Sequence, residues 1–159
     1  MIVYHGSTGP IERPDTKHSY RALDFGPGFY VTSVREQAVR WARRKADLTG
    51  AARAVVSRYD MGADEDGLRV LRFGGDMEAW IDFVCRCRDG EPVYRDYDLI
   101  VGRVADDKVF RVVDMYHAGI WDKRRALQEI RAYEDYDQMA FITQTAIDRL
   151  LTFDGHIEV

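Results

Sequence analysis

Three segments bring a polar or aromatic side chain to the edge of a short β-prone run: Tyr4-His5-Gly6-Ser7, Gly28-Phe29-Tyr30-Val31-Thr32 and Asp137-Gln138-Met139-Ala140-Phe141. Singly, each has an ordinary reading. A histidine at a strand end is usually a hydrogen-bonded or surface residue, a Phe-Tyr pair is usually core, and a lone glutamine predicts nothing. The more familiar chemistries are missing. Gly26-Pro27-Gly28 lacks the third glycine of a dinucleotide fingerprint and precedes a strand instead of opening a helix. There is no Walker A sequence, no Gly-x-Ser-x-Gly elbow, and no second Cys or His pair to join Cys85 and Cys87. His5, His18, His117 and His156 are scattered without an i,i+4 pair, so no metal is expected. The acidic run Glu134-Asp135-Tyr136-Asp137 reads as a solvated turn.

Positioning these segments requires a single domain, because 159 residues leave no room for separate cofactor and substrate domains. With 46% hydrophobic and 31% charged residues the chain is an ordinary globule. A formal charge of −4 supplies no basic field for nucleic acid. No apolar run reaches bilayer-spanning length and no secretory signal is visible, so the expectation is a cytoplasmic chain with reduced thiols. Ile2 to His5 and Phe29 to Thr32 predict strands, flanking a long loop over residues 10–28 of the kind that often carries function. Ser33 and Glu36 have capping-box spacing for a helix that places Val34, Ala38, Trp41, Ala42 and Lys45 on its apolar stripe and runs to about Leu48. Strands follow at Ala52 to Asp60 and Leu68 to Phe73, and residues 98–104 read as a strand or as its approach to the next helix. Further helices start at Asp76, at Asp106 or Asp107, and near Asp122. A strand at Met139 to Ile142, a helix over Thr143 to Leu151 and a last strand over Phe153 to Val159 complete an α+β chain.

The conjunction of these segments resembles the ADP-ribosyltransferase superfamily, in the diphtheria-toxin and poly(ADP-ribose) polymerase branch with its His, Tyr, Glu signature. More closely, the chain is similar to a small bacterial family placed in that superfamily. That family has a Tyr-His-Gly-Ser opening, an Asp-Phe-Gly-x-Gly-Phe-Tyr turn and a late Asp-Gln pair. The Arg, Ser-Thr-Ser and Glu-x-Glu features of the other large branch are absent. The resemblance covers most of the chain. It implies a split fold of two short, mostly antiparallel sheets that form a cleft flanked by helices. NAD, the co-substrate, would lie in that cleft beneath the 10–27 loop. It also implies that His5 bonds the adenosine ribose, that the Gly6 backbone pairs with the nicotinamide amide, and that Ser7 contacts the cofactor. Tyr30 and Trp41 would sandwich nicotinamide, since two π faces can hold a flat cationic ring. Gln138 falls where the branch has its Glu. Arg21, beside the Asp24 turn, either holds a phosphate of NAD or pairs with an acid, and Trp41 equally suits a packing role.

Breaking the nicotinamide–ribose bond leaves positive charge on the ribose, which a carboxylate that also holds a ribose hydroxyl stabilises. Gln138 keeps the hydrogen bond but not the charge. At about 4 Å and an effective dielectric of about 20 that charge is worth about 4 kcal/mol, or a rate factor near a thousand. A flanking acid, Glu134, Asp135 or Asp137, could swing in, although strand alternation turns Asp137 away from Gln138. The expected activity is NAD-dependent mono-ADP-ribosylation of a macromolecular acceptor, protein ahead of nucleic acid, as in bacterial toxins held by an antitoxin or inhibitor protein. The rivals are an NAD glycohydrolase at the same site and an inert interaction module on the same scaffold.

Overall fold

A computed structural model describes residues 1–18 and 23–159. Strand alternation in β1 (Ile2–Ser7) sends Val3, His5 and Ser7 to one face and Tyr4 and Gly6 to the other. β1 pairs antiparallel with β3 (Val55–Met61), which pairs antiparallel with β7 (Leu151–Glu158), giving a sheet of order β1-β3-β7. A second sheet has the order β2-β6-β5-β4, from β2 (Phe29–Val31), β6 (Asp137–Phe141), β5 (Leu99–Arg103) and β4 (Val70–Arg72). Among the described residues only β4 and β5 pair in parallel, and the chain between them includes α2 (Met77–Arg88), as a parallel crossover requires. Helices α1 (Arg35–Thr49), α3 (Asp107–His117), α4 (Lys123–Arg131) and α5 (Gln144–Leu150) complete an α+β fold of two small, mostly antiparallel sheets. No helix among the described residues is long and apolar enough to cross a membrane.

Three apolar layers hold these elements. Val3 and Tyr59 of the first sheet meet Phe29, Val31, Leu99 and Phe141 of the second, together with Ile147 and Leu150 of α5. The opposite face of the second sheet, carrying Tyr30, Ile100 and Ala140, buries against α2, α3 and α4. The opposite face of the first sheet is covered by α1 through Ala38, Ala42 and Ala46.

The aspartates at positions 76, 106 and 122 cap α2, α3 and α4 through their carboxylates. The cap expected at Ser33 does not form. The N-cap of α1 is Val34, with no side-chain cap bond, and Ser33 instead gives both its N–H and its hydroxyl to Asp137, at 2.9 and 2.6 Å. As a cap the Ser33 hydroxyl would accept a helix N–H, but here it is turned to donate to a carboxylate on the neighbouring strand, which points it away from the helix. The inward face of α1 also differs from expectation. Its buried residues are Gln37, Ala38, Ala42 and Ala46, while Trp41 and Lys45 are only half-buried. Small side chains let the helix lie close on β1. β4 is shorter than expected, and β3 begins at Val55 instead of Ala52.

Asp98, at the entry to β5, ties three elements together. Its carboxylate accepts from Arg69 N–H at 2.8 Å, from the Arg69 guanidinium and from Thr143 Oγ1 at 3.0 Å. The Arg69 hydrogen bonds hold its acid below the ordinary value of 3.8. A depressed carboxylate stabilises the fold above its unfolded pKa, and that contribution is lost as pH falls through the folded one. Asp98→Ala is expected to lose about 1–3 kcal/mol at pH 7. In urea unfolding the gap between variant and parent should shrink as the pH falls below 3.8.

Candidate functional site

The site begins where the two sheets touch. Tyr4 and Thr32 exchange both backbone bonds, Tyr4 N–H to Thr32 O at 2.8 Å and Thr32 N–H to Tyr4 O at 3.0 Å. In an antiparallel ladder each residue sends its N–H and C=O to the same side, and the side alternates along the strand. Because Tyr4 spends its pair on Thr32, Gly6 turns its own pair toward the same edge, away from β3. Among the described residues none bonds the Gly6 N–H or C=O there. Beside it the His5 imidazole Nδ1 lies 2.6 Å from Tyr30 O. A carbonyl only accepts, so Nδ1 carries the proton. The His5 ring stacks on Phe29, with centroids 4.4 Å apart. Ser7 is buried, and its hydroxyl closes the following turn on Gly9 O at 2.5 Å.

Gly6 is also where α1 comes closest. A Cβ there would collide with Ala38 O, lie 2.6 Å from Ala42 N and meet Trp41 Cβ at 3.0 Å. The site is thus bounded by a bare strand edge on one side and a helix backbone on the other.

Tyr30 lies opposite Ala140 of β6 and is only 8% exposed. Its hydroxyl donates to Gly26 O at 2.5 Å and accepts from Phe25 N–H at 3.1 Å, which fixes the Asp24–Gly28 turn. Gly26 adopts φ 85 against the Tyr94 ring, and a Cβ on Gly28 would lie 2.5 Å from Phe141 O, so this turn demands both glycines. Burial, and then the Asp24 charge, hold the phenol protonated far above its ordinary range. Tyr30→Phe keeps the ring but strands a buried carbonyl and a buried N–H. The expected cost is about 1–3 kcal/mol, read as a lowered thermal midpoint.

Gln138 shares the Tyr30 face of the sheet and is buried. Its Nε2 donates to Asp24 Oδ2 at 3.0 Å and to Arg103 O at 3.2 Å. Asp24 Oδ2 also accepts from Ala105 N–H at 3.0 Å. Burial raises the Asp24 carboxyl above its ordinary value, opposed by the Ala105 and Gln138 bonds and by the Arg88 charge. Asp137 faces away, as strand alternation requires, and is taken up by Thr32 Oγ1 at 2.9 Å and by Ser33. Of the other flanking acids, Glu134 accepts from the Tyr136 hydroxyl, and Asp135 lies 3.8 Å from Arg103 Nε.

The family described as a protein of unknown function, DUF3990, matches residues 1–153. The chain belongs to that family. No curated protein and no solved structure matches it. The DUF3990 match spans every segment that builds the site.

His5 and Gly6 therefore adjoin Tyr30 across the β1–β2 junction, while Gln138 joins them through β6, on the Tyr30 face and not on the Phe29 side where the His5 ring stacks. Trp41 stands next to Gly6 through its Cβ, half-buried and outside the three apolar layers. Arg21 lies outside the described residues. Two open cavities lie elsewhere. One of about 600 Å³ is lined by Asp82, Cys85, Arg86, Tyr116 and His117. Another of about 380 Å³ borders Asp137, Arg72 and Arg103. Neither is lined by Gly6, Tyr30 or Gln138. Cys85 and Cys87 are free and buried, and burial pushes their thiols up to about 11 and about 12, so neither is a ready nucleophile at neutral pH. Among the described residues no His, Cys, Asp and Glu group could hold a metal ion. The residue that the sequence reading passes over is Asp24. Its signal was an acid opening the Asp-Phe-Gly-Pro-Gly turn, but nothing local ties that acid to a glutamine so far along the chain.

Proposed function

We propose that the chain is an NAD-dependent mono-ADP-ribosyltransferase with an ADP-ribosyltransferase-like split fold, and that its acceptor is a macromolecule, most simply a protein. The observation that carries this reading is the Gly6 edge. One N–H and one C=O, side by side and bonded to no described residue, complement the carbonyl and amino group of a carboxamide such as that of nicotinamide. An unmatched buried backbone pair is costly unless something takes it up. The His5 ring beside this edge and the side-chain carbonyl of Gln138, two residues before Ala140 on β6, suit the riboses of the same nucleotide. In the reaction the bond between ribose C1′ and the nicotinamide nitrogen breaks, its electron pair leaving with the ring. The acceptor then bonds C1′ and releases a proton. The bacterial toxins that the sequence resembles are held by an antitoxin or inhibitor protein, and a partner of that kind belongs to this proposal.

The purified chain, incubated with a cell lysate and NAD labelled in its adenosine half, should release nicotinamide and leave label on a protein band. Nicotinamide without a labelled macromolecule marks water as the acceptor, and neither product sinks the reading. One observation favours the inert module: Tyr30 is buried with its hydroxyl engaged at both lone pair and proton. Under that alternative, calorimetry with NAD gives no heat of binding.

A further inference from the structure

We infer that Asp24, from the turn before β2, supplies the negative charge that Gln138 lacks, and that Gln138 holds the ribose as a neutral acceptor oriented by Asp24. This rests on the transferase reading and assigns Asp24 the part of a positioning residue.

The amide of Gln138 has only one workable orientation. Both of its near partners, the Asp24 carboxylate at 3.0 Å and the Arg103 carbonyl at 3.2 Å, are pure acceptors, so the NH₂ group must face them. Oε1 is then the end left over. No described residue donates to it, and it is not among the fully enclosed side-chain atoms without a partner. The same holds for Asp24 Oδ1, since only Oδ2 is engaged, by Ala105 and Gln138.

A glutamate at 138 would not fit this frame. It would set one carboxylate about 3 Å from another and aim an oxygen at the Arg103 carbonyl, two repulsive contacts in a buried place. The pair is built for one acid and one amide, with the acid on the turn instead of the strand. As the C1′–nitrogen bond breaks and the electron pair departs with nicotinamide, positive charge grows on the ribose. Gln138 Oε1 meets a ribose hydroxyl, while the charge behind it is the Asp24 carboxylate, polarising the amide between them.

The test is steady-state nicotinamide release by four proteins: the parent, Asp24→Asn, Gln138→Glu and the double swap, each first matched for thermal midpoint. Asp24→Asn should lower kcat about 100-fold with KM for NAD changed by no more than about threefold. Gln138→Glu should also lose activity. The swap, which again has one acid and one amide, should recover about tenfold over either single variant. Asp24→Asn at parental kcat, or Gln138→Glu faster than the parent, overturns the inference and leaves the transferase reading standing. So does a folded swap no better than the single variants. If Asp24→Asn does not fold, the swap against Gln138→Glu decides by the same recovery. A parent that releases no nicotinamide overturns the transferase reading and this inference with it.

Discussion

Trp80→Ala is expected to lower stability by about 3–5 kcal/mol and to disable the site as well. Trp80 is fully enclosed at the start of α2, and its ring helps fill the space that Gly102 leaves open on the second sheet, together with Phe25 and Phe73. Truncation removes most of that filling, and strand and helix backbones cannot close the gap. The indole also does something more specific. Its Nε1–H donates to Arg103 O at 2.9 Å, and that same carbonyl accepts from Gln138 at 3.2 Å. Without the indole, Arg103 O loses one of the two donors that fix its direction, and the Gln138 amide loses a rigid partner. Urea unfolding should show a lowered midpoint, and Trp80→Phe should recover much of it by refilling the volume while leaving the carbonyl short of a donor. If Trp80→Ala unfolds at the parental midpoint, the packing described for this layer is wrong.

Gly6→Ala carries the second large effect. A methyl group there points into the backbone of α1, against Ala38 O and 2.6 Å from Ala42 N. Backbone atoms cannot rotate away as a side chain can. The helix must lift from the sheet, at a cost of about 1–3 kcal/mol. Lifting α1 also displaces Trp41, whose Cβ is the third near contact. Under the transferase reading, NAD affinity falls together with stability, because the strand edge and the aromatic beside it shift apart. Thermal melting and NAD calorimetry on the same preparation separate the two effects. Lost heat of binding at a temperature where the variant is still folded assigns Gly6 to the ligand, and unchanged binding confines it to packing.

Much of the fold was legible because it is written locally. The caps at Asp76, Asp106 and Asp122 each need only a carboxylate three residues ahead of an N–H, and each forms. Gly50 ends α1 in the left-handed conformation that a C-terminal glycine favours. The failures share a different origin. Ser33 has the spacing of a cap and loses that part to Asp137, a residue 104 positions away that becomes a neighbour only when β2 pairs β6. Trp41 sits on an apolar period, yet β1 selects the alanine face of α1 because a close approach at Gly6 leaves no space for a large ring. At the site, His5 and Tyr30 could be picked out by type, but Asp24 could not. Its tie to Gln138 spans 114 positions and depends on the turn that Tyr30 pins.

The junction at Tyr4 and Thr32 sets how the two sheets can part. It is a single bridge of two backbone bonds, and beyond it β1 and β2 share no further ladder. The sheets are therefore two leaves whose backbones share one stitch, with Gly6 just past the knot, and the rest of the seam is side-chain packing of Val3 and Tyr59 on Phe29, Val31, Leu99 and Phe141. On the transferase reading, a ring that enters beside Gly6 comes up against the His5 to Tyr30 bond, so that imidazole is a latch across the seam as well as a wall.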